Sequence, residues 1–163
     1  MPNWCSNIIV LRSDEQNVNS FLDYLEKNQG KDWFNFFRSC PFEINENHDD
    51  WIEWALANWG CKWNCDAENW NLEEEGRAIA FWFDSPWGPP MELYKYIVSE
   101  LKGIDKWDVS ASFHETGMRY VGEFVEKKEY VYDYSDLNNL KNVPEHLLEE
   151  WDLKNLSEET ENV

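Results

Sequence analysis

The chain has 163 residues, of which 42% are hydrophobic and 17% aromatic, including 11 tryptophans. That much ring surface excludes disorder of the whole chain, and the length suits one ordinary core better than two full domains. The formal charge of -19, from 33 acidic and 14 basic residues, opposes direct binding to nucleic acid phosphates or anionic membranes and favours basic partners.

From the N-terminus, Asn7 to Arg12 reads as a β-branched strand buried on both faces. Ser13 or Asp14 caps a helix whose Val18, Phe21, Leu22 and Leu25 form one apolar stripe, and Asn28-Gln29-Gly30 ends it. The stretch 31–60 is expected to be an insertion. Trp33, Phe34, Phe36 and Phe37 are too apolar for a free loop, while Cys40-Pro41 blocks a continuing helix. Asp49 or Asp50 caps a short helix that closes at Gly60.

Lys62 to Asn69 reads as a second strand, followed by a polar turn from Asn71 to Gly76. A third strand follows, in which Ile79, Phe81 and Phe83 alternate with Ala78, Ala80 and Trp82. The turn from Ser85 to Pro90 launches a second helix with Leu93, Tyr94, Ile97 and Leu101 as its stripe and Gly103 at its end. Trp107 to Glu115 is a fourth strand, and Tyr120 to Val125 pairs with Glu129 to Tyr134 about a turn at Lys127-Lys128. Pro144 starts a last helix carrying Leu147, Leu148 and Trp151, and the acidic tail 157–163 is expected to fray.

Strand, helix, strand, strand, helix, strand is the split βαβ order of a ferredoxin-like α+β sandwich, an antiparallel sheet with both helices on one face. Residues 1–125 form that core, and 126–156 add a strand and a helix packed on it. The second sheet face stays open unless the insertion or the C-terminal elements fold over it.

Two tryptophan-bearing segments stand beside turn residues: Asn58-Trp59-Gly60-Cys61-Lys62-Trp63 and Phe83-Asp84-Ser85-Pro86-Trp87-Gly88-Pro89-Pro90. If the second strand begins near Lys62 and the third ends near Asp84, antiparallel pairing brings the two segments to one edge of the sheet. Lys62 then pairs with Asp84, and Trp59, Trp63 and Trp87 pack around them. Such a slot suits either a planar ligand or a protein partner; alternatively Trp87 and the prolines lock the turn while Asp84 caps the helix.

The opening Met1-Pro2-Asn3-Trp4-Cys5-Ser6-Asn7, then Asn58-Trp59-Gly60-x-Lys62-Trp63, then Phe83-Asp84-x-x-Trp87-x-Pro89-Pro90 resemble, in that order, the YubB-type ferredoxin-like domain family of phage and plasmid proteins. The resemblance runs from residue 1 to about 125. It departs at Cys61, where threonine is frequent, and at Phe113-His114-Glu115-Thr116-Gly117, where a tyrosine often precedes the glutamate and glycine. It implies the fold and a mobile-element origin, and it supplies no reaction or catalytic residue.

No glycine-rich phosphate loop, nucleophile elbow or metal-binding helix motif is present. Cys5, Cys40, Cys61 and Cys65 lack the spacing of a zinc ribbon or a redox pair. His48 and His114 could complete a metal site on paper, but Cys61 and Cys65, four apart, share one strand face, so buried thiols are the simpler account and no metal is expected. No cofactor is expected. His114 and Glu115 are consecutive on a strand and point to opposite faces. A hydrolase or transferase working through Asp84 and His114 is therefore the weakest reading. Met1-Pro2-Asn3-Trp4-Cys5 has neither the basic nor the apolar region of a secretory signal, so a cytoplasmic location is expected.

Toward the C-terminus, Glu123, Glu126, Glu129, Asp133 and Asp136, then Glu145, Glu149 and Glu150, punctuate a strand-rich stretch and the last helix. Such charges blunt a sheet edge, or present a phosphate-like row to an Arg/Lys groove. The leading expectation is a non-enzymatic acidic inhibitor or decoy, resembling a DNA mimic, that engages a basic host or defence protein. The alternative is a nucleotide-type ligand binder using Trp59, Lys62, Trp63, Asp84 and Trp87.

Overall fold

The computed structural model describes residues 2–43, 49–101 and 106–156. Six strands, β1 (Trp4–Arg12), β2 (Glu68–Glu73), β3 (Ala78–Pro86), β4 (Asp108–Glu115), β5 (Tyr120–Val125) and β6 (Lys128–Asp133), form one antiparallel sheet in the order β2-β3-β1-β4-β5-β6. The helices are α1 (Glu15–Lys27), α2 (Phe34–Phe37), α3 (Asp50–Asn58), α4 (Met91–Ser99) and α5 (Glu145–Glu150). The first four strands with α1 and α4 make the ferredoxin-like α+β sandwich, and the β5–β6 hairpin extends its sheet. Among the described residues no helix is long and apolar enough to cross a membrane.

Alternation along the strands decides which face is core. Cys5, Asn7, Ile9 and Leu11 of β1 align with Ile79, Phe81, Phe83 and Ser85 of β3 and with Val109, Ala111, Phe113 and Glu115 of β4, all on the helix-covered face. Asp14 caps α1 by accepting from the Asn17 amide at 2.8 Å, and Val18, Phe21 and Leu25 of α1 are buried. The insertion supplies the rest of this core. Trp33 meets Phe34, Phe81 and Phe83 edge-on at 4.7–5.2 Å between ring centroids. Phe21 and Trp107 close the cluster through Phe37. Each such contact adds roughly 0.5–1.5 kcal/mol beyond area burial.

Three sequence expectations shift. The second strand is Glu68–Glu73, not Lys62–Asn69. Residues 64–67 instead place their hydrogen bonds on the loop after α1: Ala67 N–H donates to Gly30 C=O, Trp33 N–H to Cys65 C=O, and the Phe34 amide to Asn64 Oδ1. A segment stitched to that loop is not free to join the sheet. The β5–β6 turn is Glu126-Lys127, one residue earlier than expected, with both residues at positive φ (51° and 63°), as a two-residue hairpin requires. Helix α4 is described as ending at Ser99. The expectations for Gly103, His48 and the tail 157–163 lie outside the described residues.

The second face is half covered. Val121, Tyr134, Leu140, Val143, Leu147 and Leu153 form a separate buried cluster, so α5 and the turn before it fold over the β4–β6 side. Among the described residues the β1–β3 side stays open, with Trp82 41% exposed. His114 sits at the boundary. Its Nε2 shares a hydrogen bond with the Tyr134 hydroxyl, and its ring stacks on Tyr134 and lies against Trp151.

Burial holds the His114 pKa below its ordinary 6.5, with Glu115 pulling the other way. The fold thus favours the neutral ring. This contribution to stability is complete above pH ~6.5 and lost as pH falls through the lower folded-state value. Urea unfolding from pH 7.5 to pH 5 should show declining stability, and His114→Gln should flatten that decline. An equal slope in wild type and variant would assign the loss to other groups.

Candidate functional site

The two tryptophan segments do meet, but not as one slot. Helix α3 ends at Asn58, and Gly60, at φ +88°, turns the chain against the start of α4. A Cβ there would lie 2.9 Å from the Glu92 nitrogen, so only glycine permits the approach. The turn sends Trp59 inward. It is 1% exposed, its indole rests on Phe34 and Trp54, and its Nε1–H donates to Arg38 C=O at 2.8 Å. Trp59 is a core residue.

Beyond Gly60 the loop 61–65 forms a wall between two concavities. On one side is a cleft of about 310 Å3 lined by Trp4, Trp63, Asn64, Cys65, Asp66, Glu68 and Asp84. Trp4 and Trp63 stand edge-to-face at 6.1 Å, and Trp4 is 49% exposed. Asp84 accepts from the Ser6 hydroxyl at 2.9 Å, and Asp66 accepts from the Asp32 amide at 3.2 Å. Among the described residues, none of Asp66, Glu68 and Asp84 makes an ion pair.

On the other side of the wall lies a groove of about 550 Å3 lined by Ile52, Leu56, Lys62, Pro86, Trp87 and Gly88, with Cys61 beneath. Lys62 Nζ leans back over the Trp63 ring, 5.9 Å from its centroid. The expected Lys62–Asp84 pair is not formed. Lys62 lines the groove and Asp84 the cleft, because the irregular path of 61–67 replaces the strand that would have set them opposite each other.

The turn after β3 is fixed from several directions. Asn7, almost fully buried, donates through Nδ2 to Cys5 C=O, Phe83 C=O and the Ser85 hydroxyl, which in turn donates to Gly88 C=O at 2.6 Å. The Trp87 amide donates to Asn3 C=O at 2.7 Å, and the Tyr120 hydroxyl donates to Trp87 C=O at 2.8 Å. These bonds hold Trp87 at φ +68°, a left-handed conformation costing a residue with a Cβ roughly 1–2 kcal/mol. The backbone of Trp87 is locked, yet its side chain is 50% exposed. Asp84 does not cap α4, whose N-cap is Pro90.

Two of the buried thiols, Cys5 and Cys65, are quiet. Cys61 and Cys65 both donate to Trp63 C=O, at 3.4 and 3.7 Å. Desolvation pushes Cys5 up to about 12 and raises Cys65 as well, so both stay protonated. Among the described residues no group of three or more His, Cys, Asp or Glu is arranged to hold a metal ion. Asp84 and His114 share a face but lie two strands apart, roughly 10 Å. Ser6 stands between them, bonded to Asp84, while His114 is bonded to Tyr134. They are not an acid–base pair.

The eight C-terminal carboxylates do not form one row. Glu123 accepts from His146, whereas Glu129 reaches the helix-covered side and approaches Lys95 Nζ at 3.7 Å. Asp133 accepts from the Ser135 amide and hydroxyl, which hold its pKa down, and Asp136 accepts from the Asn138 amide. Glu145 and Glu149 share Lys154. Glu126 is in the hairpin turn, and Glu150 lines a shallow hollow with Glu123 and His146.

Of the expected site residues, then, Trp63 and Asp84 share the cleft, Lys62 and Trp87 share the groove, and Trp59 belongs to neither. Trp4, Asp66 and Glu68 were not among the expected site residues. The register that sets Trp4 opposite Pro86 could be read only from the paired sheet. Compared with family models, with curated proteins and with solved structures, the chain finds no match.

Proposed function

We propose that this is a non-enzymatic binding protein of phage or plasmid origin that acts in the bacterial cytoplasm as an acidic inhibitor or decoy on a basic host or defence protein. Nucleic-acid-binding proteins are the fitting targets, since their grooves are already shaped for polyanions. The observation that carries the reading is the cleft, where three carboxylates that make no ion pair among the described residues stand beside two indole rings in a chain of charge -19. Carboxylates supply charge and hydrogen-bond acceptors for a guanidinium or ammonium group, and indole rings supply cation–π attraction. The same three carboxylates repel a nucleotide phosphate, which disfavours the small-ligand alternative in this cleft.

The test uses the protein as bait in bacterial lysate, beside the near-isosteric variant Asp66→Asn, Glu68→Gln, Asp84→Asn. A stoichiometric basic protein should be retained at low salt, released at high salt, and bound about tenfold or more weakly by the variant. Retention that is indifferent to salt, or unchanged in the variant, would overturn the reading.

A further inference from the structure

A tryptophan at φ +68° is an uncommon choice, because glycine takes that conformation without strain. Core burial does not explain the choice, since Trp87 is 50% exposed. The hydrogen bonds of the turn do not use the indole. They run through the Trp87 backbone, Asn3, Ser85, Gly88 and Tyr120. Strain held in place by a dedicated network, beneath an exposed ring, points to a role for that ring outside the monomer.

The groove beside the ring has an apolar floor. Leu56, 51% exposed, and Ile52 come from α3, Pro86 closes the end of β3, and Lys62 stands at the rim. Its far wall, the loop 61–65, is also the wall of the acidic cleft. The two concavities differ in chemistry. The groove takes an apolar group and, with Lys62 at its rim, repels a cation. The cleft takes a cation.

We infer that Trp87 is an anchor for the basic partner, and that a segment of that partner seats a large apolar side chain against Trp87 and Leu56 while an adjacent Arg or Lys enters the cleft of Asp66, Glu68 and Asp84. This rests on the binding reading above and adds its apolar half. The charge complementarity selects a basic segment, and the groove selects one whose basic residues flank a leucine-sized or aromatic residue. Tryptophan is among the residues on which interface affinity concentrates once a partner desolvates them.

The experiment compares two probes by calorimetric titration: a peptide of leucine and arginine patterned as an amphipathic helix, and oligo-arginine. Each is titrated into wild type, Trp87→Gly and Trp87→Asn, both replacements being compatible with the left-handed backbone. The amphipathic peptide should bind wild type more tightly than oligo-arginine, and both variants should lose about tenfold or more toward it while binding oligo-arginine as before. Thermal midpoints of the variants should be equal to or above that of the wild type.

Equal affinity of wild type for the two probes would remove the apolar anchor and leave the acidic reading standing. No binding of either probe would remove both readings together. A large fall in thermal midpoint for both variants would show that the indole is a structural lock, and would overturn the inference.

Discussion

Trp59→Ala is expected to destabilise the fold by about 3–5 kcal/mol, the usual result of emptying a buried tryptophan site. The indole is 1% exposed and fills the space between Phe34 and Trp54, and its Nε1–H satisfies Arg38 C=O. Truncation leaves a cavity and an unpaired carbonyl together, beside a turn that Gly60 holds against α4. Trp59→Phe keeps part of the ring packing and loses the hydrogen bond, so it should cost less than alanine, with the bond itself accounting for about 1 kcal/mol. Urea denaturation of both variants measures the difference. Full stability in Trp59→Ala combined with lost partner binding would return Trp59 to the interface.

Gly122→Ala is expected to cost about 1–3 kcal/mol through overpacking. Gly122 pairs with Phe113 on β4 and Val131 on β6. A Cβ built there lies 2.3 Å from Tyr130 C=O and 2.5 Å from Phe113 Cζ. One of these is ladder backbone and the other a fully buried ring, so neither yields without loss. The expected signature is local as well as global: amide hydrogen exchange along β6 should accelerate beyond the change at β1. A variant with wild-type stability and β6 protection would show that the ring and carbonyl can move apart at no cost.

The parts of this fold legible in the sequence are those written in periodicity. The stripe Val18, Phe21, Leu25 and the alternation Ile79, Phe81, Phe83 need only the geometry of a helix or strand to declare a buried face, and both are buried. The order of elements then left the split βαβ sandwich as the reading that uses every apolar face. The second strand was not legible. Cys65 and Ala67 alternate with polar neighbours as a strand would, and both are buried. They are buried by pairing with residues 30–34, more than 30 positions earlier in the chain, and that long-range competition leaves no local trace.

The candidate site shows the same division. The residue types that make it, tryptophan beside turn residues in a chain of charge -19, were set by the sequence. So was the expectation that the Trp59 and Trp87 segments approach one another. Tertiary structure alone decided the arrangement within that meeting place. Gly60 turned Trp59 into the core, and the irregular path of 61–67 put Lys62 in the groove and Asp84 in the cleft. The bonds from Asn3 and Tyr120 held the indole of Trp87 outward. Composition and periodicity are properties each residue carries with it, so a sequence determines them directly. Which side of a loop a side chain occupies depends on where distant backbone groups find their hydrogen-bond partners, and only the folded chain makes that choice.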